Sequence, residues 1–237
     1  MANNRLPYGL CKKYGIELPK GATPREAWAA LDKIPADKFK KPLVAFIGEE
    51  SPRKTRQGNY SVNWSFVHSS KYKEKLYKIS QNEKVVSAIE TRIMWALNNR
   101  DGVDTEEIYA INLSNGSEVT RITDQHFRKK IKRTVEFQSR LDEADSLGEK
   151  ILLLHNHPDG LPPSIYDINV LINNLNVVGI TVGHDGSLYY YTRPNKPILN
   201  SDFISAIKNY NDFTEITAIE KALEELQEKF GFLFKKL

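Results

Sequence analysis

The sequence predicts an α/β (α+β) fold, on three observations. Val85, Ile89, Ile93, Met94 and Leu97 recur at helical spacing, so residues 83–99 read as a helix with one buried face. An apolar run, 151–154, is too short for a core helix of ordinary length and reads as a buried strand. Two segments, 107–123 and 177–193, each pair strand-like residues around a tight-turn signal, Asn115-Gly116 and Asp185-Gly186. Strands interleaved with helices define the class.

Taken in order, residues 1–80 form an N-terminal module whose function the sequence leaves open. Thr23-Pro24-Arg25-Glu26 is a capping box with proline at the first helical position, so the following AWAALDK is helical. LVAFIG (43–48) reads as a strand and 49–60 as a charged, turn-rich connector. The aromatics of YSVNWSFV (60–67) alternate, which suggests an extended segment, and KYKEKLYKIS after it is helical and basic. Residues 81–195 form the principal domain. Asn82 caps its first helix and Asp101-Gly102 stops it. The hairpin 107–123 leads into a second helix, 124–144, then a strand, KILLLH, a helix opened by Ser164, and the hairpin 177–193. Residues 196–237 form a C-terminal helical segment, with Ile216, Ile219, Leu223 and Leu226 as a stripe on 214–230.

Residues 150–168, KILLLHNHPDGLPPSIYDI, carry the chemistry. Side chains alternate along a strand, so His155 and His157 share a face. Pro158, Gly160, Pro162 and Pro163 force a turn and forbid helix until Ser164, which can cap SIYDINVLINNL. Asp167 then sits in the first turn. Two imidazoles and one carboxylate make three protein ligands, the pattern of a catalytic zinc site with its fourth position open. Nitrogen with carboxylate suits Zn2+ better than calcium or magnesium. Each residue alone has an ordinary structural explanation, as a strand-end histidine or an acid at a helix N-terminus. The set and its spacing favour metal.

These residues, His155-Asn156-His157-Pro158 followed by Ser164-x-x-Asp167, resemble the signature of the JAMM (MPN-plus, JAB) zinc metallopeptidases. They are most similar to the prokaryotic branch that includes RadC-like proteins and the JAB domains of phage and mobile elements. The resemblance spans roughly residues 82–192. The loop 158–163 is one residue shorter than the family's usual spacing, with the Ser-x-x-Asp phase kept. The resemblance implies a three-layer JAB/MPN-like (cytidine-deaminase-like) domain with a mixed sheet flanked by helices. It implies a hydrolase cutting a peptide or isopeptide bond, such as one after a ubiquitin-like C-terminus, in a bacterial or phage-infected cytoplasm. It also implies a glutamate base ahead of an early strand. Glu106 and Glu107 both stand there, and adjacent strand residues face opposite ways, so only one can reach the metal. Glu118 on the hairpin partner is a third candidate. Ser164 would be the oxyanion-stabilising serine, or a plain helix cap.

Composition fits this reading without deciding it. At 40% hydrophobic and 27% charged, the chain has the balance of a globular protein. No apolar run approaches the roughly 20 residues of a membrane span, and MANNRLPYGL lacks the apolar core of a secretory signal. Cys11 is the single cysteine and is read as a buried structural thiol. His68, His126 and His184 have no ligand spacing and are read as surface or turn residues. The net charge of +4 is too small to mark a dedicated nucleic-acid binder. The basic stretches 52–56, 71–75 and 128–133 nonetheless keep a RadC-like nucleic-acid association as the alternative, beside a non-catalytic MPN-type scaffold.

Overall fold

Strand Ile151–His157 lies inside a six-stranded mixed sheet, with every residue buried. The structure, a computed structural model, describes residues 11, 16–23, 26–27, 30, 60–127 and 131–237. The expected strand at 43–48, most of the connector 49–60 and the basic stretch 52–56 lie outside the described residues, as do 128–130. The described residues fall into two compact units. One comprises 60–197 with Gly231–Leu237; the other comprises the described residues among 11–30 with Ile198–Phe230.

In the sheet unit the strands are β1 (Ile108–Asn112), β2 (Glu118–Ile122), β3 (Ile151–His157), β4 (Val177–Gly183), β5 (Leu188–Tyr191) and β6 (Phe234–Lys236). Their spatial order is β2-β1-β3-β4-β5-β6, with β3 and β4 parallel and all other neighbours antiparallel. Both expected hairpins are present. One face of the sheet carries Tyr109, Ile111, Leu152, Leu154, Ile180, Val182 and Leu188. It shares a core with Val85, Val86, Ile89, Ile93, Ala96 and Leu97 of a long helix. Burying a side chain of this kind stabilises the fold by about 1.5–3 kcal/mol. The opposite face, by alternation, carries Ile108, Leu153, His155, His157 and Thr181.

The helices of this unit are α1 (Trp64–Val67), α2 (Ser70–Tyr77), α3 (Glu83–Arg100), α4 (Val135–Ser146) and α5 (Ile165–Asn169). Asn82 caps α3 by accepting from the Lys84 N–H, and Gly102 ends it at φ +76°. Three expectations need correction here. Residues 60–67 are not extended throughout. Asn63 caps the short helix α1, and Asp101 draws it in by accepting from the Val62 N–H (2.7 Å) and the Trp64 indole N–H (2.9 Å). Val62, Val67, Tyr72 and Leu76 belong to the core around α3, so residues 60–80 pack with the sheet unit. The second helix begins at Thr134 rather than at 124. Its described approach is a loop in which the Gln125 amide closes on the N–H and C=O of Lys132.

In the other unit, α6 (Asn200–Lys208) and α7 (Glu215–Phe230) pack together, and Lys229 bonds Asp202 at 2.7 Å. Thr23 and Glu26 form the expected capping box: the Thr23 N–H reaches Glu26 at 2.7 Å and the Glu26 N–H reaches the Thr23 hydroxyl at 3.3 Å. Cys11 is buried, with its thiol 3.4 Å from the Ala27 carbonyl. The helical reading of the tail fails after residue 230. Gly231, at φ +67°, stops α7, and Phe232 and Phe234 then alternate inward around exposed Leu233, a strand pattern that seats β6 beside β5. Among the described residues no helix is long and apolar enough to cross a membrane.

Candidate metal centre

The expected ligands meet where β3 ends. His155 and His157 stand on one face of the strand with their Nε2 atoms 3.0 Å apart. Past His157 the chain folds back at once. The Gly160 N–H donates to the His157 carbonyl, with Gly160 in the left-handed region at φ +69°. The His157 Nδ1–H donates to the Leu161 carbonyl at 2.9 Å. That bond fixes the tautomer and leaves Nε2 as a lone pair facing the site. The prolines then deliver Ser164 to the N-cap of α5. Asp167 closes a capping box there, with one oxygen, Oδ2, accepting both the N–H and the hydroxyl of Ser164 at 2.7 Å each. This turns the carboxylate toward the histidines: Oδ1 lies 3.6 Å from His155 Nε2 and Oδ2 lies 3.7 Å from His157 Nε2.

This group could hold a metal ion. Donors around a tetrahedral zinc, at bonds near 2.0–2.2 Å, stand roughly 3.3 Å from one another. The imidazole nitrogens and the nearer carboxylate oxygen of each lie close to that value, and with one atom taken from each residue all three lie within 4.8 Å of one another. The electrostatics agree with the geometry. Burial, and then the neighbouring His155, lower the pKa of His157 and favour its neutral, ligating form. Burial pushes the other way on Asp167, but His155, His157 and the Ser164 hydroxyl together outweigh it. They hold the carboxyl well below the usual carboxylate range.

The candidate acids separate by face. Ile108 pairs with His155, so alternation carries Glu106 to the ligand face and Glu107 to the α3 face. Glu107 is committed there. It is fully buried, paired with Arg100 Nε at 3.0 Å, and accepts from the Tyr109 hydroxyl at 2.6 Å and Asn99 at 3.4 Å. Glu118 pairs in register with Ile111, which also faces α3, and bonds Arg92 of that helix at 2.8 Å. Asn156, between the two histidines, faces away from the ligands and is completely buried. It accepts from the Glu107 N–H (2.7 Å) and donates to the Thr105 carbonyl (3.1 Å).

Four residues around the site were not legible as functional. Thr181, paired with His155 on β4, puts its hydroxyl 3.4 Å from His155 Nε2. Tyr191 lies against Gly179, where a Cβ would come within 2.2 Å of its ring. Burial first, and then the Asp167 charge, raise its phenol pKa well above the ordinary value; Arg133 and Glu106 also act on it. Arg133, near the same groups, is lowered by burial to about 10. Their only advance signal was the alternation that puts residues 189 and 191 on one face. His184 lies in the expected turn but not at the surface. It follows β4 directly, is 1% exposed, and meets the Asn156 amide at 3.1 Å.

No family model matches the chain, and no curated protein or solved structure matches it.

Proposed function

We propose that this chain is a zinc-dependent hydrolase of the JAMM type, with a JAB/MPN-like (cytidine-deaminase-like) three-layer domain. Its substrate would be a peptide or isopeptide bond, such as one after a ubiquitin-like C-terminus. The observation that carries the reading is the convergence of His155, His157 and Asp167, with the His157 tautomer fixed by Leu161 and the carboxylate aimed by Ser164. His155, His157 and Asp167 would hold a divalent ion, which would supply Lewis acidity for a water and a substrate carbonyl. Glu106, on the ligand face, takes a proton from water and returns it to the leaving amine. The Ser164 hydroxyl has one proton, and Asp167 receives it here. Swung off that carboxylate, it would donate to the oxygen of the developing tetrahedral centre.

No observation favours the nucleic-acid alternative in particular. Of the basic residues in 71–75, Lys73 pairs with Glu90 at 3.2 Å and Lys75 lies over the Phe66 and Tyr72 rings. The test is metal analysis of the purified chain, followed by hydrolysis of ubiquitin-like fusions with and without chelator. One bound zinc per chain, and cleavage lost both with chelator and in Asp167→Ala, are the expected results. Cleavage that survives both would overturn the mechanism.

A further inference from the structure

His184 is the one buried histidine that the proposed chemistry leaves without a task. Its Nδ1–H donates to the Tyr60 carbonyl at 2.6 Å, so its Nε2 is an acceptor. The Tyr60 carbonyl also accepts from the Gly102 N–H at 3.2 Å, which ties it to the end of α3. The His184 Nε2 accepts from the Asn156 amide at 3.1 Å. Asn156 has two amide hydrogens, and the second goes to the Thr105 carbonyl at 3.1 Å; its oxygen receives the Glu107 N–H at 2.7 Å. One buried side chain therefore grips the backbone on both sides of Glu106, and does so from between the two histidine ligands. The register around it contains no slack: β1 meets β3 at Ile108 and His155, and the lead-in residues 105–107 hang from Asn156.

We infer that Asn156 and His184 are positioning residues, a brace from the Tyr60 carbonyl to residues 105–107 that sets where Glu106 stands relative to the metal ligands. This rests on the reading of Glu106 as the base. A general base works only within hydrogen-bond reach of its proton, and misplacement by about 1 Å can cost about a hundredfold in rate. Without His184, the Asn156 amide keeps two partners but loses the one that ties it to the Tyr60 carbonyl. Glutamine could replace His184 in both capacities, with an oxygen that accepts from Asn156 and an N–H that donates to Tyr60.

The experiment compares the zinc-loaded full chain with His184→Ala, His184→Gln and Glu106→Gln. It reads cleavage of an aminocoumarin amide of ubiquitin, bound zinc, and hydrogen exchange at the Glu107 amide. In His184→Ala, exchange at Glu107 should rise at least about tenfold and kcat fall about ten- to hundredfold, with KM and zinc content unchanged. His184→Gln should recover most of both losses. Faster exchange with kcat intact would make the brace structural only and overturn its positioning role. Unchanged exchange would remove the brace itself, and this arm decides even on a probe the wild type leaves uncut. Full activity in Glu106→Gln removes the base assignment. An inactive Glu106→Gln beside a fully active His184→Ala removes the positioning role alone.

Discussion

Asp167 receives the Ser164 hydroxyl and the Ser164 N–H on a single oxygen, at 2.7 Å each, within the first turn of α5. A capping box thus doubles as the device that orients a candidate metal ligand. Partners that orient ligands in this way typically contribute 10–100-fold to metal affinity, whereas a lost N-cap costs only about 1 kcal/mol of stability. Ser164→Ala should therefore weaken zinc binding about ten- to hundredfold in a competition titration, with a small drop in melting temperature. Ser164→Thr should keep the affinity. An unchanged zinc Kd in Ser164→Ala would leave the serine as a cap and nothing more.

An ion that binds the folded chain and not the unfolded one must raise the melting temperature. At free zinc about a thousandfold above Kd the gain is about 4 kcal/mol. His155, His157 and Asp167 come from two elements joined by the 158–163 loop, so the ion would staple β3 to α5. Zinc should raise Tm, chelator should reverse the rise, and Asp167→Ala and His157→Ala should each abolish it. An equal rise in those variants would place the ion elsewhere.

Asp101 offers a pH test away from the candidate metal centre. Burial raises its pKa, but the Trp64 and Val62 hydrogen bonds, helped by His184 and the Gly102 N–H, leave the carboxyl below its ordinary value. A depressed folded pKa contributes stability that is present above the unfolded value, near 3.9, and is lost as pH falls through the folded one. The side chain is exposed, so the effect is modest. Urea midpoints of the wild type should fall more steeply between pH 5 and pH 2 than those of Asp101→Asn, which cannot titrate there. Parallel curves would show that Asp101 titrates alike in both states.

The ligand strand and its helix could be read from the sequence because one short segment holds the alternation, the turn formers and the cap together. What failed depended on partners distant in sequence. α5 ends at Asn169 instead of running on toward Leu175, because α4 captures the chain. Asp145 accepts from the Leu175 and Asn176 N–H groups, and Asp142 accepts from the Asn174 amide. Local spacing carries no trace of those acids. Asp101 likewise recruits α1 from residues 37–39 positions earlier, overriding an alternation that read as extended. His184 looked idle because its partners, Tyr60, Asn63, Asn156 and the His157 carbonyl, meet it only through the fold.

Glu106 and Glu107 could not be told apart by composition or position, and alternation sends them to opposite faces of the sheet. Removing the Glu107 carboxylate leaves Arg100, only 4% exposed, without its counter-charge, and strips the Tyr109 hydroxyl of its acceptor. Breaking a buried pair from one side costs about 3–5 kcal/mol. Glu107→Ala should therefore lower the urea midpoint sharply. Glu106→Gln should lose far less stability while hydrolysis falls about 10²–10⁴-fold, the usual contribution of a general base. Bound zinc should stay stoichiometric in Glu106→Gln, because that residue is outside the ligand set. Denaturation curves, metal content and turnover of the same two variants decide the assignment. If Glu107→Ala proved stable yet inactive, with Glu106→Gln active, the roles would have to be exchanged, and the alternation that puts Glu106 on the face of the histidines would carry no catalytic meaning.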